Sequence, residues 1–123
     1  MTVYVDNVEH RFGRMKMCHL WADSVEELHE FAGRLDPRLR RWFQCPPKAS
    51  WEHYDISKGY RARAIAMGAV LMDKYAPAEH AARIAGRQEV VDRIRRVREK
   101  FGMRNDGRVN HETLKRTKQG DAK

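Results

Sequence analysis

The chain has 123 residues, of which 41% are hydrophobic and 34% charged, with a formal net charge of +8. That length suits one domain plus an extension, and a mean hydropathy of -0.81 excludes a protein built on apolar membrane spans. Two cysteines, Cys18 and Cys45, exclude a disulfide framework, and the opening MTVYVDNVEH lacks the basic lead and apolar run of a secretion signal, so a cytoplasmic location with free thiols is expected.

In chain order, TVYVDN alternates and is rich in β-branched and aromatic residues, which predicts a first strand. After the FGR break, MKMCHLWA predicts a second, with Met15, Met17, His19 and Trp21 on one face and Cys18, Leu20 and Ala22 on the other. DSVEELHEFAGRL carries a capping box, Ser24 followed by Glu27, and an apolar stripe of Val25, Leu28, Phe31, Ala32 and Leu35, so a helix is expected there. Residues 36–52 form a long connection in which Pro46 and Pro47 forbid a helix, while Trp42 and Phe43 pin the segment to the core.

The stretch HYDISKGYR, residues 53–61, combines a titratable pair with a helix start. On an extended segment His53 and Asp55 share a face and Tyr54 turns inward. A carboxylate so placed orients an imidazole, or both ligate a metal. Ser57 caps a second helix that runs to about Met67, with Gly68 as its left-handed terminator. The free N–H groups at that helix start, with Lys58 and Arg61 beside them, suit a phosphate. AVLMD then fits a short buried strand.

The fold expected is therefore α/β: a small sheet of about three strands packed by two helices over residues 1–76, followed by a basic helical extension over 77–104. Within that extension Ala78, Ala81, Ile84 and Ala85 face one way and Val90, Ile94, Val97 and Phe101 nearly the opposite way, so a break is expected near Gly86. Residues 105–123 read as a flexible polar tail. Charge follows the same division. Residues 1–82 hold 12 Lys and Arg against 11 Asp and Glu; residues 83–123 hold 13 against 6.

Candidate chemistry gathers in three places. His53, Asp55 and His19 are the candidate catalytic residues, and with Asp23 at the end of its strand they are the groups expected to share a cleft; His19, His53 and Asp55 are also the set that would hold a divalent metal if one binds. Ser57, Lys58 and Arg61, joined by Arg41 and Lys48 from the loop RLRRWFQCPPK, are candidate ligand-binding residues; basic side chains interleaved with Trp42 and Phe43 suit a nucleic-acid strand. Arg93, Arg95, Arg96, Arg98 and Lys100 are candidate nucleic-acid contacts. The stripe Val90, Ile94, Val97, Phe101 needs a partner, either the domain, a second copy or another protein.

The ordered set VYVD, GRMKMCHLWAD, SVEELHEFA, RRWFQ, HYDISK and RARAIAMGAV resembles the bacterial and phage domain of unknown function 4031, a family marked by its HYD tripeptide, over roughly residues 1–73. The resemblance maps the family pattern onto Asp6, His19, Asp23, Arg41, His53, Asp55, Ser57, Lys58 and Gly68–Ala69. It implies a bacterial or phage cytoplasmic setting and hints at nucleic-acid metabolism or interference with a host, without implying a reaction or a cofactor. Three functions follow as expectations. The leading one is a binding protein that engages a phosphate-bearing ligand, nucleic acid above all, through a polar cleft and the basic helix. The alternatives are a metal-dependent or His/Asp-based phosphoester or nucleotide hydrolase, and a phage inhibitor acting by protein contact on a host system.

Overall fold

The computed structural model describes residues 2–110; most of the predicted polar tail lies outside the described residues. The strands are β1 (Val3–Asp6), β2 (His10–Phe12), β3 (Met15–Ala22), β4 (Phe43–Gln44), β5 (His53–Ser57) and β6 (Val70–Met72). The α-helices are α1 (Val25–Leu35), α2 (Lys58–Ala66), α3 (Ala76–Ile84) and α4 (Gln88–Lys100), and a 3-10 helix covers Pro37–Trp42.

This corrects the expected architecture of three strands and two helices. The strands form one six-stranded mixed sheet in the order β4-β5-β3-β1-β6, with β2 hydrogen-bonded to β3 beyond the end of β1. All pairings are antiparallel except β1 with β6. Local pattern missed three strands for physical reasons. β2 is exposed along its whole length and so carries no burial alternation. β4 is two residues long. β5 is mostly polar, and its pairing with β3 makes it a strand.

Period-two alternation sorts the sheet into two unlike faces. Val3 and Val5 of β1, Cys18, Leu20 and Ala22 of β3, and Tyr54 and Ile56 of β5 enter one core with Leu28, Phe31, Ala32 and Leu35 of α1 and Ala64 of α2. Leu20 and Ile56 are completely buried, so truncating either to Ala costs about 2–5 kcal/mol. Ser24 caps α1 by accepting from the Glu27 N–H, and Ser57 caps α2 by accepting from Tyr60 N–H. Burial pushes the Cys18 thiol up to about 12, so this cysteine is inert core.

The opposite face carries the side chains that alternation turns away from that core: Tyr4 and Asp6, His19 and Trp21, His53 and Asp55. At its β6 end Trp21, Met72 and Ala76 make a second, smaller core with Trp51 packed against it. The other end stays open to solvent, and the histidines lie there.

α3 and α4 are separated at Gly86, whose φ of 72° requires the left-handed region that glycine enters without strain. Their buried faces differ from the stripes predicted. α3 buries Ala76, Pro77, Glu79 and Ala82 and turns Ala78, Ile84 and Ala85 outward; α4 buries Val91, Ile94 and Arg98. Arg98 donates to both carboxylate oxygens of Asp73, to Glu79 and to the Asn105 carbonyl. All three charged groups are buried, and Arg98 shares the buried face of α4 with Val91 and Ile94. In the proposed dimer seam, Val90 and Val97 are half-buried, Ile94 is buried and Phe101 is 65% exposed. That stripe is therefore not a continuous seam.

The chain after α4 returns to the sheet. Val109 N–H donates to the Leu71 carbonyl, Asp73 N–H donates to that of Gly107, and Met72 bridges Arg108. Gly107 has φ 79°, and a Cβ placed there would lie 2.7 Å from the Arg98 guanidinium. Only glycine fits that turn.

Candidate metal centre

Strand register assembles the site. In the β3–β5 ladder His19 stands opposite Asp55, and His53 shares the Asp55 face two residues away. The turn at Gly13, φ 60°, folds β2 back on β3 so that His10 pairs with Met17. His10 Nε2 then lies 3.9 Å from Asp55 Oδ1, and His53 Nε2 lies 3.5 Å from the same oxygen. The His19 ring sits between its neighbours, with centroids 5.3 Å from His10 and 5.2 Å from His53. One ligand atom from each of His10, His19 and Asp55 falls within 4.8 Å of the others. These three residues form a group compatible with a divalent metal ion.

Neighbouring groups fix the imidazole orientations. Asp6 is completely buried; its carboxylate accepts from His19 backbone N–H at 3.0 Å and, at 2.6 Å, from His19 Nδ1–H. With Nδ1 spent on Asp6, the atom His19 can offer a ligand is Nε2. This carboxylate–histidine pairing is the usual support of a metal-ligating imidazole. His53 Nδ1–H donates to the Trp51 carbonyl at 3.1 Å, which likewise leaves Nε2 facing Asp55. The Trp51 ring stacks on His53 at 4.3 Å and 21°, which holds the imidazole in place.

The cluster is reached by solvent. Side-chain exposure falls from 42% at His10 through 24% at His19 and Asp55 to 9% at His53. Desolvation alone would lower the His19 pKa, but the hydrogen bond to Asp6, the charge of Asp6 and that of Asp55 outweigh it, and His19 is raised. For Asp55 desolvation works upward and loses to the histidines around it, so its carboxyl lies below the ordinary value. The two shifts have different leading partners, Asp6 for His19 and His53 for Asp55.

The other predicted residues divide. Asp23 stays outside the cluster, accepting from Thr2 N–H and the Tyr4 hydroxyl. Arg61 is 3% exposed and donates to the carbonyls of Asp6 and Val8 and to Glu9 at 2.7 Å; it ties the β1–β2 loop to α2. Lys58 faces Glu9 too, at 3.4 Å. Ser57 is engaged in capping, and the two cations of the expected phosphate site, Lys58 and Arg61, are paired with the chain's own Glu9. Burial would raise Glu9, but Arg61 and Lys58 hold it below its usual value. Arg41 and Lys48 are exposed, Arg41 lying over the Trp42 ring. Among the basic residues of α4, Arg98 is inaccessible, Arg95 stands 3.8 Å from Glu79, and Arg93, Arg96 and Lys100 are exposed.

Sequence reasoning missed His10 altogether and gave Asp6 no role of its own. The FGR turn was the available signal for His10, since a two-residue reversal there pairs HRF with MKM. Trp51 offered no signal at all.

A model of the family described as protein of unknown function (DUF4031) matches residues 3–94, further than the motif order over residues 1–73 implied and far enough to include α3 and much of α4. No curated protein and no solved structure matches the chain. Among the described residues no helix is long and apolar enough to cross a membrane.

Proposed function

The chain belongs to that DUF4031 family, a bacterial and phage domain, and from this premise we propose that it is a metal-dependent phosphoester hydrolase whose ion is held by His10, His19 and Asp55. The observation that carries the reading is the convergence of these three side chains behind a buried carboxylate that leaves His19 Nε2 free. The geometry favours this over the binding-only reading, because the cations at the start of α2, Lys58 and Arg61, are already paired with Glu9.

Two imidazoles and one carboxylate suit a first-row divalent ion such as zinc and leave coordination positions open. When bound, such an ion polarises a phosphoryl oxygen and lowers the pKa of water. Asp55 neutralises part of its charge, and Asp6 keeps His19 in the ligating tautomer. His53, with its Nε2 aimed into the gap and its Nδ1 locked on a carbonyl, is the proton acceptor. Water gives its oxygen to phosphorus and a proton to His53 Nε2; the ester P–O bond breaks, and the departing alkoxide takes a proton from solvent. The exposed cations of α4 add salt-sensitive attraction for a polyanionic substrate.

The test is calorimetric titration with Zn²⁺ and Mn²⁺, followed by turnover of bis(p-nitrophenyl) phosphate by the loaded protein. One ion should bind per chain, and His53→Ala should bind it and lose turnover. A chain that binds neither ion removes the metal reading. One that binds metal and hydrolyses neither this ester nor any of a panel of nucleotides removes the hydrolase reading.

A further inference from the structure

A cavity opens beside Asp55. It holds about 220 Å³ and lies between β3, β5, the 3-10 helix and the start of α2, with Met15, Met17, Arg41, Trp42, Asp55 and Tyr60 among its walls. Asp55 belongs both to this wall and to the metal group, so a ligand filling the cavity touches a residue of that group. We propose that this cavity is the substrate subsite of the proposed hydrolase and takes one nucleotide unit, its base against the Met15, Met17 and Trp42 side and its phosphate between Arg41 and the metal. The inference rests on the metal site proposed above.

Three observations select this occupant. First, the lining is apolar and aromatic along one side and cationic at the rim. Methionine and tryptophan form an adaptable flat wall for a planar base, and a guanidinium binds phosphate by a fork of N–H groups. Second, the two rim arginines differ. Arg38, also on this wall, is held in a fork by Asp36, which accepts from Tyr60 as well. Arg41 has the Trp42 ring as its partner and no carboxylate within ion-pair distance among the described residues. It is the rim cation left for a ligand. Third, size limits the ligand. Pockets that enclose a whole drug-sized molecule run to roughly 300–1,000 Å³, so this one admits a base with its sugar and leaves any further nucleotide outside.

Exposed apolar side chains continue the wall. Met15 is 44% exposed and Phe12 55%, and Phe12 meets Trp42 edge-on at 5.5 Å. A neighbouring base on a polynucleotide has a ring to lie against there, which gives these surface groups a use beyond the hairpin itself.

The experiment titrates the full chain, with Zn²⁺ present, with AMP, ribose 5-phosphate and inorganic phosphate, and measures Zn²⁺ binding separately. AMP should bind roughly tenfold or more tightly than ribose 5-phosphate, through stacking. Arg41→Ala should weaken AMP roughly tenfold or more, Arg41→Lys should recover part of the loss, and the exposed substitution Met15→Asp should weaken AMP while Zn²⁺ binding stays unchanged in all three variants. Equal affinity for AMP and ribose 5-phosphate overturns the base subsite, and AMP affinity indifferent to Arg41 overturns the phosphate contact, in both cases with the metal reading intact. Should Zn²⁺ fail to bind while AMP binding still depends on Arg41 and Met15, the cavity stands as a nucleotide site and the metal reading falls.

Discussion

Two clusters of charged and titratable groups, one around Arg98 and one around Asp55, are finished differently. Around Arg98 every group is met: its guanidinium reaches Asp73 with two hydrogen bonds of 2.9 and 3.1 Å, Glu79 at 3.0 Å and the Asn105 carbonyl at 3.1 Å. Around Asp55 the nearest imidazole nitrogens stop at 3.5 and 3.9 Å, beyond a good charged hydrogen bond. Imidazole nitrogens there face a carboxylate across a gap that solvent reaches. A closed network carries fold stability and has no capacity left for a ligand, whereas an open one, held rigid from behind by Asp6 and Trp51, has the form of a binding site.

The sharpest way to break this comparison is Arg98→Met. It leaves buried Asp73 without its cation and Glu79 with only the exposed Arg83 and Arg95, and unfolding free energy in urea should fall by about 3–5 kcal/mol, while the exposed Arg96→Ala stays within about 0.5 kcal/mol. A loss below about 1 kcal/mol for Arg98→Met would mean that the buried pair does not hold α4. Next, Asp55→Ala should lower Zn²⁺ affinity by about 100-fold or more, equivalent to about 2.7 kcal/mol, and shift urea stability little, because Asp55 ends no short hydrogen bond. A stability loss comparable to that of Arg98→Met would make both clusters structural.

Asp6→Asn sharpens the argument at nearly constant volume. An amide N–H facing His19 Nδ1 moves the ring proton to Nε2 and blocks the ligating atom, so Zn²⁺ affinity should drop by roughly 10–100-fold without direct contact to the ion. Equal affinity in that variant would separate His19 from the site. The smallest effect concerns Asp36, another carboxylate with its donors in place. Arg38, then Tyr60, hold its carboxyl well below the usual carboxylate range. A depressed carboxyl stabilises the fold above its unfolded pKa of about 3.9 and loses that contribution as pH falls below it. Melting temperature should therefore decline less between about pH 5 and pH 3 for Asp36→Asn than for the parent chain; parallel curves would remove Asp36 from the acid response.

Much of this was legible from residue pattern. Alternation in MKMCHLWA placed His19 on the face opposite Leu20, and alternation in HYDIS put His53 beside Asp55, because pleat geometry is local. Ser24 and Ser57 announced their helices, because capping is satisfied within one turn. By contrast, the α3 and α4 stripes misled. Periodicity weighs alanine and isoleucine as core and arginine and glutamate as surface, and here a fully paired Arg98 and Glu79 take the interior while Ile84 and Phe101 face solvent.

Chain order by itself determined the two alternating strands, the capped helices, the break at Gly86 and the presence of histidines and an aspartate at positions able to share a face. Tertiary structure alone decided that β5 pairs with β3 in the register that sets Asp55 against His19, that β2 delivers His10, that Asp6 supports His19 from behind, and that Glu9 occupies Lys58 and Arg61. The reason is physical. Propensity, pleat and capping depend on neighbours a few residues apart, whereas a ligand set is a coincidence in space among side chains up to 45 positions apart in the chain, fixed only when strands choose their partners.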